Sequence, residues 1–592
     1  MFPPEQAELT ENARRVLESR YLKKDPGGQV VEEPEDMFAR VARNVASAEE
    51  HYDAGPDAGA VEEQFRDALL SLDFLPNSPC LMNAGRDLQQ LAACFVLEVR
   101  DSLDSIFDTL KHTALIHQSG GGTGFSFSAL RPRGAYISTS GGQASGPVSF
   151  IRIFNAATDA INQGGFRRGA NMAVLRVDHP DILEFARSKN EEGSLVNFNI
   201  SVGATARFMD AVGEGAGFAL VHPASGEVAD KVAADEVFDA IVESAWKNGE
   251  PGMVFLDTVN SINDEGRTSN PTPALGRIEA TNPCGEAPLL PFESCVLGSV
   301  NLAHVLTGRP PDCSVDWDEL GRLVRLGVRF LDNVLTVTRH PLPQVADITT
   351  ANRKIGLGVM GFADMLVRMG IPYDDERAVQ TAREVMEFIA GEADAASEQL
   401  AAERGPFPNY PDSVYARRER PIRNAVRTTI APTGTISIIA GCSGGIEPIF
   451  AVAFERHVLG GQTLKEVHPD LRALCEREGY GLPDEVMERI VETGMVRPIE
   501  ELPDVVRRLL VTAREVPPMQ HLRVQAAFQR HTDNAVSKTV NLPADAEQDD
   551  VRDIYLRAYE LGCKGVTVYR DTSRKSQVLA VECCNIGDAC TD

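Results

Sequence analysis

The feature that most constrains this chain is the recurrence of short apolar strands followed by longer helical stretches. Asn197 to Val202 sets Phe198, Ile200 and Val202 at the two-residue period of a half-buried strand. Ala234 to Trp246 then reads as a helix ended by Gly249, and Met253-Val-Phe-Leu as a short buried strand. The alternation continues through Val315 to Thr338 and Asp375 to Arg404. Such a pattern suits an α/β barrel with helices outside. A hydrophobic content of 43% over 592 residues supplies the large core that a barrel needs. Residues 1–73 read instead as a helical region, with an amphipathic Leu9 to Leu22, a Pro34-Glu-Asp helix start and a third helix from Val61 to Leu72. The expected organisation is helical 1–73, barrel 74–572 and a cysteine-bearing flexible tail 573–592.

A formal charge of −28 argues against nucleic acid as a partner, because phosphate backbones select basic faces. A few local arginines and backbone N–H groups still suffice for a nucleotide. No signal peptide opens the chain and no apolar run spans a bilayer, so a cytoplasmic protein without membrane contact is expected. Eleven cysteines, an odd number scattered over this length, do not make a secreted disulfide framework. In a reducing compartment a cysteine pair points to redox chemistry.

Polar chemistry is densest in Thr281-Asn-Pro-Cys-Gly-Glu-Ala-Pro-Leu-Leu-Pro-Phe-Glu-Ser-Cys295. Asn282, Cys284 and Glu286 alternate there, and Pro283 and Gly285 disfavour a helix, so an extended segment would turn all three towards one ligand. A Pro/Gly loop with a cysteine buried for packing fits the same letters. Gly356-Leu-Gly-Val-Met-Gly spells a dinucleotide fingerprint, but polar Thr349 to Lys354 precedes it, so close helix packing through glycine is expected there. Thr428-Thr-Ile running into Ala431-Pro-Thr-Gly-Thr-Ile-Ser reads as a strand ending at a helix N-terminus that suits an anion, or as a hydroxyl-rich turn.

With Cys94 in Leu91-Ala-Ala-Cys-Phe-Val-Leu and Cys295, the loop resembles the catalytic chain of ribonucleotide reductases, through motifs running from Phe74 to Arg570. The resemblance implies a ten-stranded α/β barrel of two half-barrels with the Cys284 loop as a central finger. It implies that Cys284 becomes a thiyl radical, Glu286 is general base, Asn282 orients the ribose, and Cys94 with Cys295 is the redox pair. Substrate contacts would come from Ser78, Ala93, Cys94, Gly122, the Asn282-Pro283-Cys284-Gly285-Glu286 loop and Pro432-Thr433-Gly434-Thr435-Ile436, which would hold phosphates. Asp101, Ser102 and Leu103, which also read as an ordinary helix cap, match a site for a deoxynucleoside triphosphate effector. Arg133 falls in the first effector loop, and Gln163-Gly-Gly-Phe-Arg-Arg-Gly-Ala matches the second.

The radical source separates the classes of this family. Members fed by a di-iron partner carry two adjacent tyrosines in the last strand, and here the pair reads Val568-Tyr569. The Arg-x-x-Gly-Tyr signature of the glycyl-radical class is absent from the tail. The adenosylcobalamin class remains, with ribonucleoside diphosphates as the expected substrates, no metal site of the protein's own, and a homodimer. Cys584 and Cys590 in the tail would exchange with the Cys94–Cys295 disulfide and accept electrons from a thioredoxin or glutaredoxin-like reductant. A di-iron-class subunit needing a radical-generating partner, and a nucleotide sensor without turnover, are the alternative readings.

Overall fold

The structure is a computed structural model that describes residues 7–53, 55–137, 141–161, 169–458 and 462–573. Gln163 to Arg168 of the second effector loop and the tail cysteines Cys584 and Cys590 lie outside the described residues.

The N-terminal region is helical. A short helix Glu11–Val16 leads into α1 (Pro34–Ala46) and α2 (Ala58–Leu70). A capping box between Glu33 and Asp36, with Pro34 at the first position, starts α1, and the Asp57 side chain accepts from the Ala60 N–H at the start of α2. Met37, Phe38, Val41 and Val45 of α1 and Val61, Phe65 and Leu69 of α2 are buried in the main core.

The remaining chain builds a ten-stranded sheet. Its strands, with the finger hairpin, are β1 (Phe74–Pro76), β2 (Cys94–Glu98), β3 (Gly122–Ser126), β4 (Asn171–Arg176), β5 (Phe198–Ala204), β6 (Gly252–Phe255), β7 (Ala280–Thr281), β8 (Pro288–Leu289), β9 (Ser294–Asn301), β10 (Ile355–Met360), β11 (Thr539–Leu542) and β12 (Gly565–Arg570). The strands β2, β3, β4, β5 and β6 pair in that order, all parallel. β12 joins β6 antiparallel and continues in parallel to β11. From there the chain just before β11 bonds to the 427–430 segment, through Ile430 N–H to Ala535 O and Ser537 N–H to Ile430 O, and that segment bonds to β10 through Leu357 N–H to Arg427 O and Thr429 N–H to Leu357 O. β10 pairs in parallel with β9, and β9 returns antiparallel to β2. The hydrogen-bonded path therefore closes on itself as two parallel halves meeting at two antiparallel seams, while β1 lies along the free part of β9.

Every residue of β9 and β10 is buried, as strands covered on both faces require. The helices α3 (Leu103–Gln118), α4 (Pro147–Ile161), α5 (Trp317–Val337), α6 (Glu376–Arg404) and α7 (Pro518–His531) belong to the outer layer. A buried charge cluster ties that layer to the strands: Asp332 of α5, fully buried, meets the guanidinium groups of Arg353, Arg404 and Arg423.

Gly356 and Gly358 do not pack helices, as expected from the sequence, but stand within β10. A Cβ on Gly358 would come within 2.3 Å of Thr429 O, and one on Gly356 within 2.5 Å of Leu297 Cδ2. Neighbouring backbone excludes a side chain at Gly358, and the side chains of Leu297 and Thr429 exclude one at Gly356.

Candidate active site

The hairpin β7–β8 threads the barrel. Ala280, Ala287 and Leu289 pack against inward residues Cys94, Val96, Met172, Val174, Cys295 and Leu297 in a small apolar cluster separate from the outer core. A Cβ on Gly124 of β3 would fall 1.8 Å from Thr281 O, so the finger touches bare backbone there.

At its tip the chain turns instead of running extended. Gly285 takes φ +83°, its N–H donates to Asn282 O at 3.1 Å, and Asn282 Oδ1 accepts from the Ala287 N–H at 2.9 Å. The alternation of Asn282, Cys284 and Glu286 therefore does not set one face of a strand. The Asn282 side chain closes the turn and leaves Cys284 exposed at its apex, with Asn282 and Glu286 buried to either side. β5 and the segment before β11 fix the tip: Asn199 Nδ2 donates to Pro283 O at 2.8 Å, and the Ala535 N–H to Glu286 O at 3.0 Å.

Three of the expected polar groups converge. Asn282 Nδ2 reaches Cys94 Sγ at 3.1 Å, and that thiol lies 3.8 Å from Glu286 Oε1. Glu286 Oε2 is buried with no hydrogen-bond partner among the described residues, an acceptor that a ligand hydroxyl would satisfy. Burial raises the Glu286 carboxyl above its ordinary value. Burial, then the Glu286 charge, push the Cys94 thiol well up, which keeps its proton in place. Cys295 stands in register opposite Cys94 across the β2–β9 seam and is fully buried behind it.

A cavity of 220 Å³ opens on one side of the tip. Of the expected substrate residues, Ser78, Ala93, Cys94, Gly122, Asn282, Pro283, Cys284, Glu286 and Pro432 to Ile436 line it. Cys295 and Gly285 do not. Gly122 is close-packed, since a Cβ there would meet Pro283 Cγ at 3.1 Å. Ser78, at the start of a short helix capped by Asn77, shares a hydrogen bond of 2.8 Å with Tyr21 Oη. Thr433, at φ +55°, accepts the Gly445 N–H at 2.7 Å, which shapes the turn before Ile436–Ala440.

On the other side of the tip lies a cavity of 670 Å³ that also reaches Cys284 and takes in Gly285 and Val568-Tyr569. Sequence reasoning missed this second cavity, whose walls come from β4, β5, β6, β11 and β12, far apart in the chain. It also missed His117. That ring lines the smaller cavity, its Nε2 bonds Thr123 Oγ1 at 3.0 Å, and burial lowers it to about 4, so it is neutral near pH 7.

Asp101, Ser102 and Leu103 stand at the start of α3, the end opposite His117, about 24 Å away for a helix of this length. Ser102 caps the helix by accepting from Ser105 N–H at 3.2 Å, and Asp101 pairs with Arg131 at 2.8 Å. Arg133 lies further along that loop and engages Asp181 through its N–H and Glu184 through its guanidinium.

Fold and site define a redox enzyme of the barrel type, with a cysteine at the tip of an internal finger and a dithiol beside it. Comparison with known proteins gives the lineage. Residues 92–569 match the family model for the ribonucleotide reductase barrel domain, and residues 7–89 that for the ribonucleotide reductase all-alpha domain. The chain belongs to the ribonucleotide reductase family. It is 45% identical to a vitamin B12-dependent ribonucleoside-diphosphate reductase of Thermoplasma acidophilum over 627 residues, covering 96% of this chain and 80% of that one. It is 49% identical to the protein so named from Mycobacterium tuberculosis over 577 residues, covering 97% and 81%. Among solved structures it resembles the Actinobacillus ureae class Id ribonucleotide reductase alpha subunit, with TM-score 0.76, 22% identity and coverage of 97% of this chain and 99% of that one, a likeness of fold.

Proposed function

We propose that the protein reduces ribonucleoside diphosphates to 2′-deoxyribonucleoside diphosphates, with adenosylcobalamin as radical source, for DNA precursor supply. The observation that carries this reading is the position of Cys284, shared by a small cavity that also holds Cys94, Asn282 and Glu286 and a larger one behind it. The names of the similar reductases support both the cofactor and the diphosphate substrate.

The second cavity fits the cofactor. Its walls offer hydrocarbon from Met172, Val254 and Phe450 against a macrocycle, and amides of Asn541 and Gln525 for the carboxamides at a corrin edge. Gly252 is close-packed there, a Cβ falling 3.1 Å from Val566 O, so a side chain at that point of the wall would crowd the neighbouring strand. When bound, adenosylcobalamin supplies one-electron chemistry by homolysis of its cobalt–carbon bond. Val568 in place of a tyrosine supports a source inside this chain's own cavity over a relay from a di-iron partner.

The residues then divide the work. Cys284, as a thiyl, takes the 3′ hydrogen of the ribose, which no acid or base removes as a proton. Glu286, with its unpartnered Oε2, accepts the 3′-hydroxyl proton. Asn282 orients the hydroxyls. Cys94, held as a thiol, gives its proton to the departing 2′-hydroxyl, and Cys94 and Cys295 together yield two electrons and finish as a disulfide. The 432–436 turn receives the phosphates. The closed barrel keeps water from the radical.

Asp101, Ser102, Leu103 and Arg133 form the effector site in this reading, at an interface between two copies of the chain. The exposed apolar ridge Leu103, Phe107 and Leu115 on α3, with Ile153 on α4, supports such a homodimer. Cys584 and Cys590 of the tail pass electrons from a thioredoxin or glutaredoxin-like protein in the cytoplasm. Among the described residues no helix is long and apolar enough to cross a membrane.

The test is direct. Purified protein given adenosylcobalamin, a ribonucleoside diphosphate and dithiothreitol should form deoxynucleotide with no second protein. A strict need for a metal-loaded partner would reject the cofactor assignment, and no product under either condition would favour a sensor.

A further inference from the structure

Lys354 and Glu293 form an ion pair of 2.7 Å in which each side chain is only 1% exposed. Burying two charges costs several kcal/mol per ion before their attraction is counted, so a pair in this position calls for a reason. Glu293 alone would not need the ammonium, because its carboxylate already accepts from Leu290 N–H at 2.7 Å and Asn352 Nδ2 at 2.6 Å. Lys354 Nζ donates to Glu293 and to Ser269 O at 3.1 Å. An ammonium has a third N–H, and no third acceptor is recorded for it among the described residues.

The register gives that third donor a neighbour. Val296 pairs with Ile355 in the parallel β9–β10 ladder, so Cys295 lies beside Lys354, just as it lies opposite Cys94 on its other flank. Pleating sends side chains of alternate residues to opposite faces. Leu297 and Cys295 belong to the cluster inside the barrel, whereas Val296, Ile355 and Leu357 belong to the outer core, so Glu293, Cys295 and Lys354 all face inward. The order across three strands is Cys94, Cys295, Lys354. Only Cys94 reaches the cavity wall.

We propose that Lys354 makes Cys295 the departing sulfur when the Cys94–Cys295 disulfide is reduced, so that the incoming thiol attacks Cys94. This rests on the reading of the two cysteines as the redox pair. A thiolate of a dithiol reductant bonds to Cys94 Sγ while the Cys94–Cys295 bond breaks, and the bonding pair of electrons leaves on Cys295 Sγ against the ammonium. Cys295 then takes up a proton. The reductant's second thiolate attacks the mixed disulfide, releases Cys94 and leaves the reductant as a disulfide, two electrons poorer. Exchange is faster when the leaving thiolate is stabilised and the attacked sulfur is accessible, and each condition selects one of the two cysteines. Burial and the Glu286 carboxylate push the Cys295 thiol up, and Lys354 acts against them. Lys354 is thus a positioning residue, acting through Cys295 and touching no substrate.

The full-length chain with its tail cysteines Cys583, Cys584 and Cys590 changed to serine, so that the disulfide stays in the barrel, is oxidised by one turnover without reductant, treated with limiting 2-mercaptoethanol, quenched in acid and mapped by peptide mass spectrometry. The adduct should sit on Cys94 with Cys295 free, and an adduct mainly on Cys295 overturns the proposal. Protein in which one turnover leaves both thiols unlinked would reject the redox-pair reading instead. Reduction by dithiothreitol, followed by thiol release, is then compared in Lys354→Arg and in Lys354→Met combined with Glu293→Gln. The neutral pair should be slowed about tenfold or more and Arg should remain near the parent rate. Equal rates in properly folded forms of all three overturn the role of the ammonium. Should the neutral pair not fold, the adduct position in the parent protein still decides between the two sulfurs.

Discussion

Cys94 and Cys295 face each other in register across one of the two antiparallel seams that join the barrel halves. Opposed residues in antiparallel strands have Cα atoms about 4.5–5.5 Å apart, inside the span of about 4.4–6.8 Å that a disulfide bridges. Oxidation therefore needs little backbone movement. With the tail cysteines Cys583, Cys584 and Cys590 changed to serine, one turnover of reduced protein without reductant should consume two thiols and link these two residues, as read by alkylation and peptide mapping. A link to any other cysteine would contradict the assignment.

Cys284→Ser should abolish deoxynucleotide formation while nucleotide affinity stays at the parent value. The hydroxyl keeps the shape of the exposed tip, but its O–H bond is too strong to be converted to a useful radical. Isothermal titration beside a product assay reads both quantities. Any turnover above background in this variant removes the thiyl role.

The pH dependence follows from Glu286, whose folded value lies above that of the free side chain because it is buried. A general base must be ionised, so the acid limb of kcat/KM should lie above the usual glutamate range of about 4.3. The linkage has the opposite sign for stability. The folded state holds this proton more tightly, so the contribution is full below the unfolded value and lost as pH rises through the folded one. Glu286→Gln should therefore lose activity yet melt at or above the parent temperature near neutral pH. A lower melting temperature there would show that the charged form is stabilised in the fold.

Gly124→Ala puts a methyl group onto the Thr281 carbonyl, where the clearance is 1.8 Å. Overpacking against backbone should cost about 3 kcal/mol and displace the finger, lowering turnover as well as the denaturation midpoint. Urea unfolding monitored by tryptophan fluorescence measures the first effect. A variant of parent stability and activity would mean that the finger is not held against β3.

Phe107 is 50% exposed within an apolar ridge that also contains Leu103 at 64%. Phe107→Glu should convert a dimer to monomer in sedimentation experiments and remove the influence of deoxynucleoside triphosphates on which base is reduced. Persistence of both properties would locate the interface and the effector site elsewhere.

The sequence made the finger legible as a dense polar segment, because Asn282, Cys284 and Glu286 sit close together in it, although the letters alone also fitted a packing loop. Strand and helix alternation likewise announced the barrel. The turn at Gly285 was misread as extended, since a Pro and Gly flanking pattern excludes a helix without choosing between a strand and a reversal. Gly356 and Gly358 were assigned to helix packing because the contacts that exclude their side chains come from Leu297 and Thr429, far away in the chain. Lys354 looked like one more polar residue before an apolar run. Its inward direction follows only from the ladder with β9, a long-range fact that local composition does not carry.

The near-contact between Thr281 and Gly124 has a further consequence. Barrels of about eight strands fill their own interiors with side chains, and wider ones leave space that something else must occupy. Here the occupant is the hairpin itself, so the segment that would carry the radical is also the plug that lets the wall stand. A substitution there is screened twice, once by folding and once by turnover, and the chemistry of the tip cannot drift while its stem stays tolerant.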